Sequence, residues 1–270
     1  PPTIYELCRP RADVLEGRIR DEDFAADLSQ VLKGTAPELY KNPALFFANT
    51  HPTRGLRDLF LAVVDRLTGA GSQLGSILRL DTSYGGGKTH ALISLNHILT
   101  AADQIPNLAE FIDPARLPSQ KVTVAAFDGE NADPMNGRRM EGNVLAFTPW
   151  GELAVQLAGP AGYERIRNSD RLGAAPPGAE TLRELIGERP VLILIDELSI
   201  YLRKIKGPAA GQAAEQLTPF LTDLIKAVNS SPQAVLVFTL ALGKGGQAVD
   251  AYGEENQRID RIFAELQSVT

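Results

Sequence analysis

A glycine-rich stretch between residues 80 and 90 has the residue types and the spacing to bind a polyphosphate. Its candidate contacts are Tyr84, Gly85, Gly86, Gly87, Lys88, Thr89 and His90. Consecutive glycines let backbone N–H groups turn inward around an anion, and a helix that begins at the lysine points its positive end at the same place. Lys88 would reach the β- and γ-phosphates, and the hydroxyl of Thr89 would bind the Mg²⁺ that bridges them. The stretch therefore predicts a phosphate-binding loop.

One position departs from the full phosphate-loop pattern, which has a glycine six residues before the lysine. This chain has Thr82 there, although Gly85 and Gly87 are kept. An ordinary loop with a solvated lysine is the alternative interpretation of such a stretch. A second motif further along the chain argues against that alternative.

This second motif is the apolar run at residues 191–195, which ends in two acidic residues. Five consecutive branched aliphatic residues are typical of a central parallel strand that is buried on both faces. Asp196 and Glu197 would then lie at its carboxyl end, where parallel α/β sheets bind ligands. In this form, a Walker B element, Asp196 would hold Mg²⁺ through water and Glu197 would polarise the water that attacks the γ-phosphate. The alternative is a buried strand followed by a solvated acidic turn, which the preceding glycine loop disfavours.

A third polar residue stands near the end of the next aliphatic run, at residues 234–240. Beside a Walker B strand, Thr239 could orient the attacking water and sense the γ-phosphate. A hydroxyl that simply bonds a nearby backbone carbonyl is an equally good interpretation. The predicted catalytic residues are thus Lys88, Glu197 and Thr239, and the predicted metal ligands are Thr89 and Asp196.

Other segments carry weaker signals. Residues 50–54 precede the first strand and are candidate contacts to an adenine base, although His51 and Thr53 could equally cap the helix that follows. Asp128 and Glu130 end another predicted strand, and we expect them at the rim of the site. Three short basic stretches lie at residues 138–139, 165–167 and 203–206. A contact with DNA or with a neighbouring subunit's phosphate is the minority interpretation for them, and solvated surface is the main one.

The elements that must position these residues follow from hydrophobic periodicity and from the breaks between periodic segments. Strands are predicted at residues 76–80, 121–127, 191–195 and 234–240, and helices at about 56–67, from Lys88, at 150–157, at 180–186, from Thr218 and at 254–266. The result is an α/β fold with a parallel central sheet in a three-layer sandwich. We expect an N-terminal helical extension at residues 1–70 and a nucleotide-binding core at 71–270, with an insertion at about 131–189.

Composition excludes several other classes of protein. A net charge of −6 argues against a strongly basic nucleic-acid surface over the chain as a whole. A single cysteine, Cys8, rules out an internal disulfide and a cysteine-cluster metal site. The chain contains neither an apolar run long enough to span a membrane nor a signal segment at its amino terminus, so we expect no membrane association and a cytoplasmic location.

With these motifs in this order, the chain resembles the AAA+ branch of P-loop ATPases. More narrowly, it resembles the N-terminal ATPase region of the large predicted ATPases of domain of unknown function family 499. The residues that carry the narrower resemblance are Phe46, Thr50, Gly55-Leu56, Tyr84 to Leu92, Trp150 to Leu153, Gln156-Leu157, Leu194 to Leu198 and Tyr201-Leu202.

The resemblance implies an ATPase that uses ATP and Mg²⁺, in a longer protein found beside DNA methyltransferases and helicase-like proteins in anti-phage and DNA-modification islands. It also implies self-association or a partner subunit that completes the site. The helical lid of an AAA+ core has no counterpart before Thr270, so the chain is expected to be a piece of that protein, with any DNA contact lying outside it.

Three functions are compatible with these observations. The first is ATP hydrolysis coupled to conformational change in a DNA-linked defence or modification complex. The second is a nucleotide-gated scaffold that assembles partners with little turnover. The third, a small-molecule phosphotransferase, is disfavoured because Asp196-Glu197 suits the activation of water.

Overall fold

The computed structural model of the chain describes residue 3 and residues 15–17, 26–70, 75–83, 87–205 and 208–242. The strands are β1 (Ile77–Ser83), β2 (Thr123–Asp128), β3 (Arg138–Arg139), β4 (Leu145–Ala146), β5 (Val191–Asp196) and β6 (Ala234–Leu242). The helices are α1 (Leu28–Lys33), α2 (Glu38–Lys41), α3 (Pro43–Ala48), α4 (Arg54–Thr68), α5 (Lys88–Thr100), α6 (Pro149–Ile166), α7 (Ala179–Ile186), α8 (Leu198–Lys204) and α9 (Pro208–Asn229). Short 3₁₀ turns lie at Ala102–Gln104, Leu108–Glu110, Pro114–Arg116, Glu141–Asn143 and Arg167–Ser169.

Within the described residues, four strands form one sheet in the order β1-β6-β5-β2, and every pairing is parallel. The whole of β5 is buried, as the aliphatic run at 191–195 predicted. Leu192 and Leu194 belong to one core, whereas Ile193 and Ile195 belong to the other, because successive strand residues face opposite sides of a sheet. The predicted α/β fold with a parallel sheet is therefore confirmed, and helices cover both of its faces.

Helices α6 to α9 supply side chains to the first core, where Trp150 packs against Phe220 with ring centroids 5.2 Å apart. The prediction that a helix begins at Thr218 was wrong, because α9 already begins at Pro208 and carries Pro219 in its interior. A proline there removes one helical hydrogen bond. The helix nevertheless continues, since the turn before Pro219 buries Leu217, a member of this core.

The second core lies between the sheet and helices α1 to α5. Periodicity predicted one buried face for α5, yet the helix is buried nearly all round. Phe46 of α3 stacks on His90 with centroids 4.3 Å apart, and its ring also meets the edge of His97 at 5.2 Å. The polar outer face of α5 is therefore covered by the N-terminal helices instead of by water.

The segment between β2 and β5 contains the β3–β4 hairpin and helices α6 and α7. Gln156 of α6 lies against the outer edge of β2. Its side-chain amide donates to the carbonyl of Ala126 at 2.8 Å and accepts from the N–H of Ala126 at 2.9 Å. This amide thus makes the two hydrogen bonds that a neighbouring strand would make at that residue.

Several predictions fall outside the described residues, namely the loop residues 84–86, the terminal helix at 254–266 and Cys8. None of the described helices combines the length and the apolar character that a membrane crossing requires.

Candidate nucleotide site

The first part of the site is the junction between β1 and α5. Thr82 lies inside β1, paired in register with Ala241 of β6. Its extended backbone suits a β-branched residue, so this position does not call for glycine. Gly87 has a φ of 78°, a left-handed conformation that costs glycine little, and it precedes the first helical residue, Lys88. Lys88 is 8% exposed and sits at the amino-terminal end of α5, where an anion is favoured.

Asp196 links three elements at the carboxyl edge of the sheet. Its carboxylate accepts a hydrogen bond from the hydroxyl of Thr89 at 2.7 Å and another from the hydroxyl of Thr239 at 2.5 Å. Burial raises the pKa of Asp196, while these two hydrogen bonds and the charge of Lys88 act in the opposite direction. The structure thus brings together the predicted metal ligands and the predicted sensor residue.

Thr239 can reach Asp196 because β6 lies between β1 and β5 in the sheet. The sequence left open whether Thr239 senses the γ-phosphate or simply bonds a backbone carbonyl. Its hydroxyl proton goes to a side chain and not to a backbone carbonyl. The hydroxyl donates to a carboxylate and also accepts the backbone N–H of Glu197 at 3.3 Å. Thr239 therefore touches both acidic residues of the motif.

Glu197 begins the turn into α8 with φ 49° and ψ 43°. This left-handed conformation is uncommon for a residue with a side chain. The carboxyl group is half-buried, and desolvation together with the negative charge of Asp196 raises the pKa of Glu197 to about 7. Lys88 opposes that rise.

The two acidic residues that were expected at the rim differ from each other. Glu130 is exposed, but Asp128 is 5% exposed and caps its own turn. Its carboxylate accepts the N–H of Glu130 at 2.9 Å and the side-chain amide of Asn131 at 2.8 Å. Asp128 thus has its hydrogen bonds within the fold, and its contribution to the site is a negative charge that raises the pKa of both Asp196 and Glu197.

A cavity of about 550 Å³ opens beside Lys88. Its lining comes from the segment before α4, from α4, from β1 and from the beginning of α5, and includes Asn49, Thr50, His51, Thr53, Leu56, Leu59, Arg79, Leu80, Gly87, His90 and Ala91. Thr53 also caps α4, accepting the N–H of Leu56 at 3.3 Å. Part of the segment that was expected to contact a base therefore lines the cavity, and one of its residues also has the capping role that was the alternative.

His90 and Thr50 form a hydrogen-bonded pair in this lining, with 2.9 Å between Nε2 and Oγ1. The hydroxyl of Thr50 donates its own proton to the carbonyl of Phe46 at 2.7 Å, so it must accept from His90. That assigns the proton of His90 to Nε2 and leaves Nδ1 as an acceptor. Burial lowers the pKa of His90, and the neighbouring His97 lowers it further, which favours the neutral ring.

Four of the basic residues that were considered for DNA, namely Arg138, Arg165, Arg167 and Lys204, have partners within the fold. Arg138 forms a buried ion pair with Glu152 of α6 at 2.9 Å, and burial raises the pKa of Glu152 to about 7 although Arg138 lowers it. Arg165 pairs with Glu184 at 2.9 Å. In the 201–206 stretch, Lys204 donates to two backbone carbonyls of the turn after β2. Periodicity could not identify these partners, because each pair joins two different segments that only the fold brings together.

Comparison with known families agrees with the resemblance drawn from the motifs. A family model described as the DUF499 N-terminal domain matches residues 5–270. The chain belongs to the DUF499 family. Comparisons with curated proteins and with solved structures found no match.

Several of the residues that carried the resemblance have contacts in the fold that explain their residue types. Trp150 donates its indole N–H to the carbonyl of Ser169 at 2.8 Å, Glu152 pairs with Arg138, and Gln156 covers the edge of β2. Phe46 and Thr50 contact His90 of α5, the helix that begins at Lys88. Gln156 thus covers the edge of the sheet at Ala126, whereas Thr50 and His90 line the cavity and Phe46 packs against His90 from behind.

Proposed function

We propose that this chain is a P-loop ATPase module of the AAA+ type that binds Mg²⁺-ATP and hydrolyses it. The observation that supports this most directly is the hydrogen-bonded link between Thr89, Asp196 and Thr239 at the carboxyl edge of a parallel sheet. It joins the phosphate-loop helix, the acidic strand and the strand between them, beside the buried Lys88. Ligands of open parallel sheets bind at this edge.

The oxygen atoms at this link fit a magnesium ion. Thr89 offers a hydroxyl and Asp196 a carboxylate, which are the hard ligands that Mg²⁺ takes together with water and phosphate oxygens. Among the described residues, no three His, Cys, Asp or Glu side chains are placed so that they could hold a metal ion together, so further ligands would come from the nucleotide and from water. A Mg²⁺ ion held by Thr89 and Asp196 would neutralise part of the negative charge of the phosphates.

Phosphoryl transfer to water mainly needs positioning and charge neutralisation. In our proposal Lys88 binds the β- and γ-phosphates as a point charge, and Glu197 holds and polarises the attacking water. Thr239 contacts Asp196 and the backbone of Glu197, so it would register whether the γ-phosphate is present and adjust both acidic residues together.

The cavity beside Lys88 supports adenine as the base. Its volume of about 550 Å³ lies within the range of small-molecule sites. The His90–Thr50 pair leaves hydrogen-bond acceptors in the lining, since Nδ1 of His90 carries no proton and the one hydroxyl proton of Thr50 is donated to Phe46. Acceptors complement the amino group of adenine and oppose the carbonyl that guanine has at the same position.

The direct experiment measures ATP affinity and ATP turnover of the complete protein and of two variants. We expect Glu197→Gln to bind ATP but to lose most of its turnover, and Lys88→Ala to lose binding. Lys121→Ala is the matched control, because Lys121 is exposed and remote from the motifs. Wild-type protein that binds ATP tightly without turnover would refute hydrolysis and favour a nucleotide-gated scaffold. Turnover unaffected by Glu197→Gln would refute the assigned roles.

The resemblance to ATPases that occur beside DNA methyltransferases suggests the setting of this activity. We propose that turnover drives a conformational change in a DNA-linked defence or modification complex, with a second subunit completing the site. The described basic residues of the insertion are largely paired with acids, so DNA contact would use other regions. Turnover measured with and without duplex and single-stranded DNA tests this, and no response to either would refute the coupling to DNA.

A further inference from the structure

The turn that follows β2, residues 128–132, lies against the start of α8 at very short range. The N–H of Gly129 donates to the carbonyl of Asp196 at 2.9 Å. A Cβ added at Gly129 would lie 2.0 Å from the carbonyl oxygen of Glu197 and 3.2 Å from the backbone N of Tyr201. Both neighbours are backbone atoms, which cannot rotate away as a flexible side chain could. Any side chain at position 129 would therefore clash with the backbone of Glu197, so only glycine fits there.

The backbone of Glu197, which this turn contacts, is strained. Glu197 and Asn143 are the residues other than glycine with a positive φ in the described part of the chain. A left-handed conformation brings the Cβ of such a residue close to the carbonyl oxygen that follows it and is unfavourable, so neighbouring contacts must hold it. For Glu197 those contacts are the hydroxyl of Thr239 at its N–H and, at its carbonyl, the N–H of Ile200 at 2.9 Å together with the close approach of Gly129.

The turn is itself held firmly. Inside it, the carboxylate of Asp128 accepts the N–H of Glu130 and the side-chain amide of Asn131. From the far end of α8, the ammonium of Lys204 donates to the carbonyl of Ala132 at 2.9 Å and to the carbonyl of Glu130. The turn thus runs along α8 and is attached to both ends of that helix.

We propose that Gly129 is a positioning residue for Glu197. By letting the turn lie directly against the carbonyl of Glu197, it keeps this residue in the left-handed conformation that sets the direction of the carboxyl group. The inference rests on the proposed ATPase function for its consequence in catalysis. It predicts that a side chain at position 129 lowers the rate of the chemical step and leaves nucleotide affinity nearly unchanged.

The test compares Gly129→Ala with Gly211→Ala in the complete protein. Gly211 is exposed in α9, and a Cβ there would meet no atom within 4 Å. We expect Gly129→Ala to lower kcat by about 10- to 100-fold, the scale of an ångström-sized misplacement, with an ATP Kd within about twofold of wild type. Gly211→Ala should leave both unchanged. An unchanged kcat in Gly129→Ala, or an equal loss in kcat and affinity, would overturn the proposal.

A double-mutant cycle separates positioning from general damage. If Gly129 acts through Glu197, adding Gly129→Ala to Glu197→Gln should reduce the remaining turnover no further. A loss in that background as large as in wild type would show that Gly129 acts elsewhere. Lys204→Met provides a second route if Gly129→Ala does not fold, since it releases the turn without adding atoms, and we expect a smaller loss of kcat in the same pattern.

A readout without activity keeps this test distinct from that of the proposed function. Loosening the turn should weaken the hydrogen bond from the Glu197 N–H to Thr239, so hydrogen exchange at this amide should be faster in Lys204→Met or Gly129→Ala than in wild type. Exchange as slow as in wild type would overturn the proposal. A wild-type protein without ATP turnover would instead refute the ATPase function, and the exchange result would still test the packing.

Discussion

The hydroxyl of Thr239 is the clearest point at which to perturb the site without introducing a cavity. Thr239→Val replaces the hydroxyl by a methyl group of similar size at a residue that is 2% exposed. The variant loses the donation to Asp196 and the acceptance from the Glu197 N–H. The carboxylate keeps the hydrogen bond from Thr89 at 2.7 Å, so Asp196 is not left without a donor.

The expected loss follows from these two bonds. A hydrogen bond to a charged group contributes about 1.5–3 kcal/mol, and the longer bond to the amide about 1 kcal/mol. We therefore expect Thr239→Val to lower the free energy of unfolding by about 3 kcal/mol. For a protein of this size, 1 kcal/mol shifts Tm by about 2–4 °C, which gives a decrease of about 6–12 °C.

Thermal unfolding in the absence of nucleotide measures this effect directly. The matched control is Thr222→Val, because the hydroxyl of Thr222 bonds the carbonyl of Thr218 within α9 at 2.9 Å and faces solvent. Its loss should change Tm by no more than about 2 °C. If Tm falls no further in Thr239→Val than in Thr222→Val, the buried hydrogen bonds around Asp196 do not stabilise the fold, and the contributions assigned to them are wrong.

Four further predictions concern groups away from this link. Burial lowers the pKa of His90 and His97, so the unfolded chain takes up protons first below pH about 6.5 and the free energy of unfolding should fall as pH falls. Denaturant titrations between pH 5 and 8 should show that the free energy of unfolding depends less on pH in His97→Gln than in wild type. The same pH dependence in both proteins would contradict this. Glu152 has the opposite effect, because burial raises its pKa to about 7 in the folded protein. Its contribution to the free energy of unfolding is therefore lost as pH rises from about 4.5 to about 7. In Glu152→Gln this loss is absent, so the free energy of unfolding should rise more steeply with pH than in wild type. Arg138→Met leaves the buried carboxylate of Glu152 without its ion-pair partner and should lower the free energy of unfolding by about 3–5 kcal/mol at pH 8. The double variant Arg138→Met/Glu152→Gln should recover most of this loss. If the single and double variants lose the same amount, the ion pair is not the cause. Gln156→Met removes two hydrogen bonds to the edge strand and should cost about 2 kcal/mol, with faster amide exchange in β2 as the second measurement; unchanged exchange would show that the amide does not close that edge.

The strands of the main sheet could be predicted because their signal is local. The branched aliphatic run at 191–195 predicted β5 almost to the residue, and the run at 234–240 predicted β6. Asp196, Glu197 and Thr239 were then identifiable because they stand at the ends of these runs. The order of motifs along the chain was sufficient to propose that they meet.

Other features could not be predicted because they depend on contacts between distant segments. Neither Gln156 nor Arg138 carries a local signal for its partner, which lies on another strand or helix. The start of α9 was predicted too late in the chain, because proline is common at the first position of a helix and Pro219 was therefore taken as that position. In the structure Pro219 lies inside a longer helix whose buried face packs in the first core. The need for Gly129 is set by the backbone of Glu197, 68 positions later in the sequence.

The amide of Gln156 also limits how copies of this chain could join. It occupies the backbone groups of Ala126 on the outer edge of β2, which leaves β1 as the other end of the described sheet. An assembly that continued the sheet through β2 would have to displace this amide from Ala126. Two copies joined at β1 would each turn this occupied edge outward, which would disfavour the addition of a further copy and growth into a fibre.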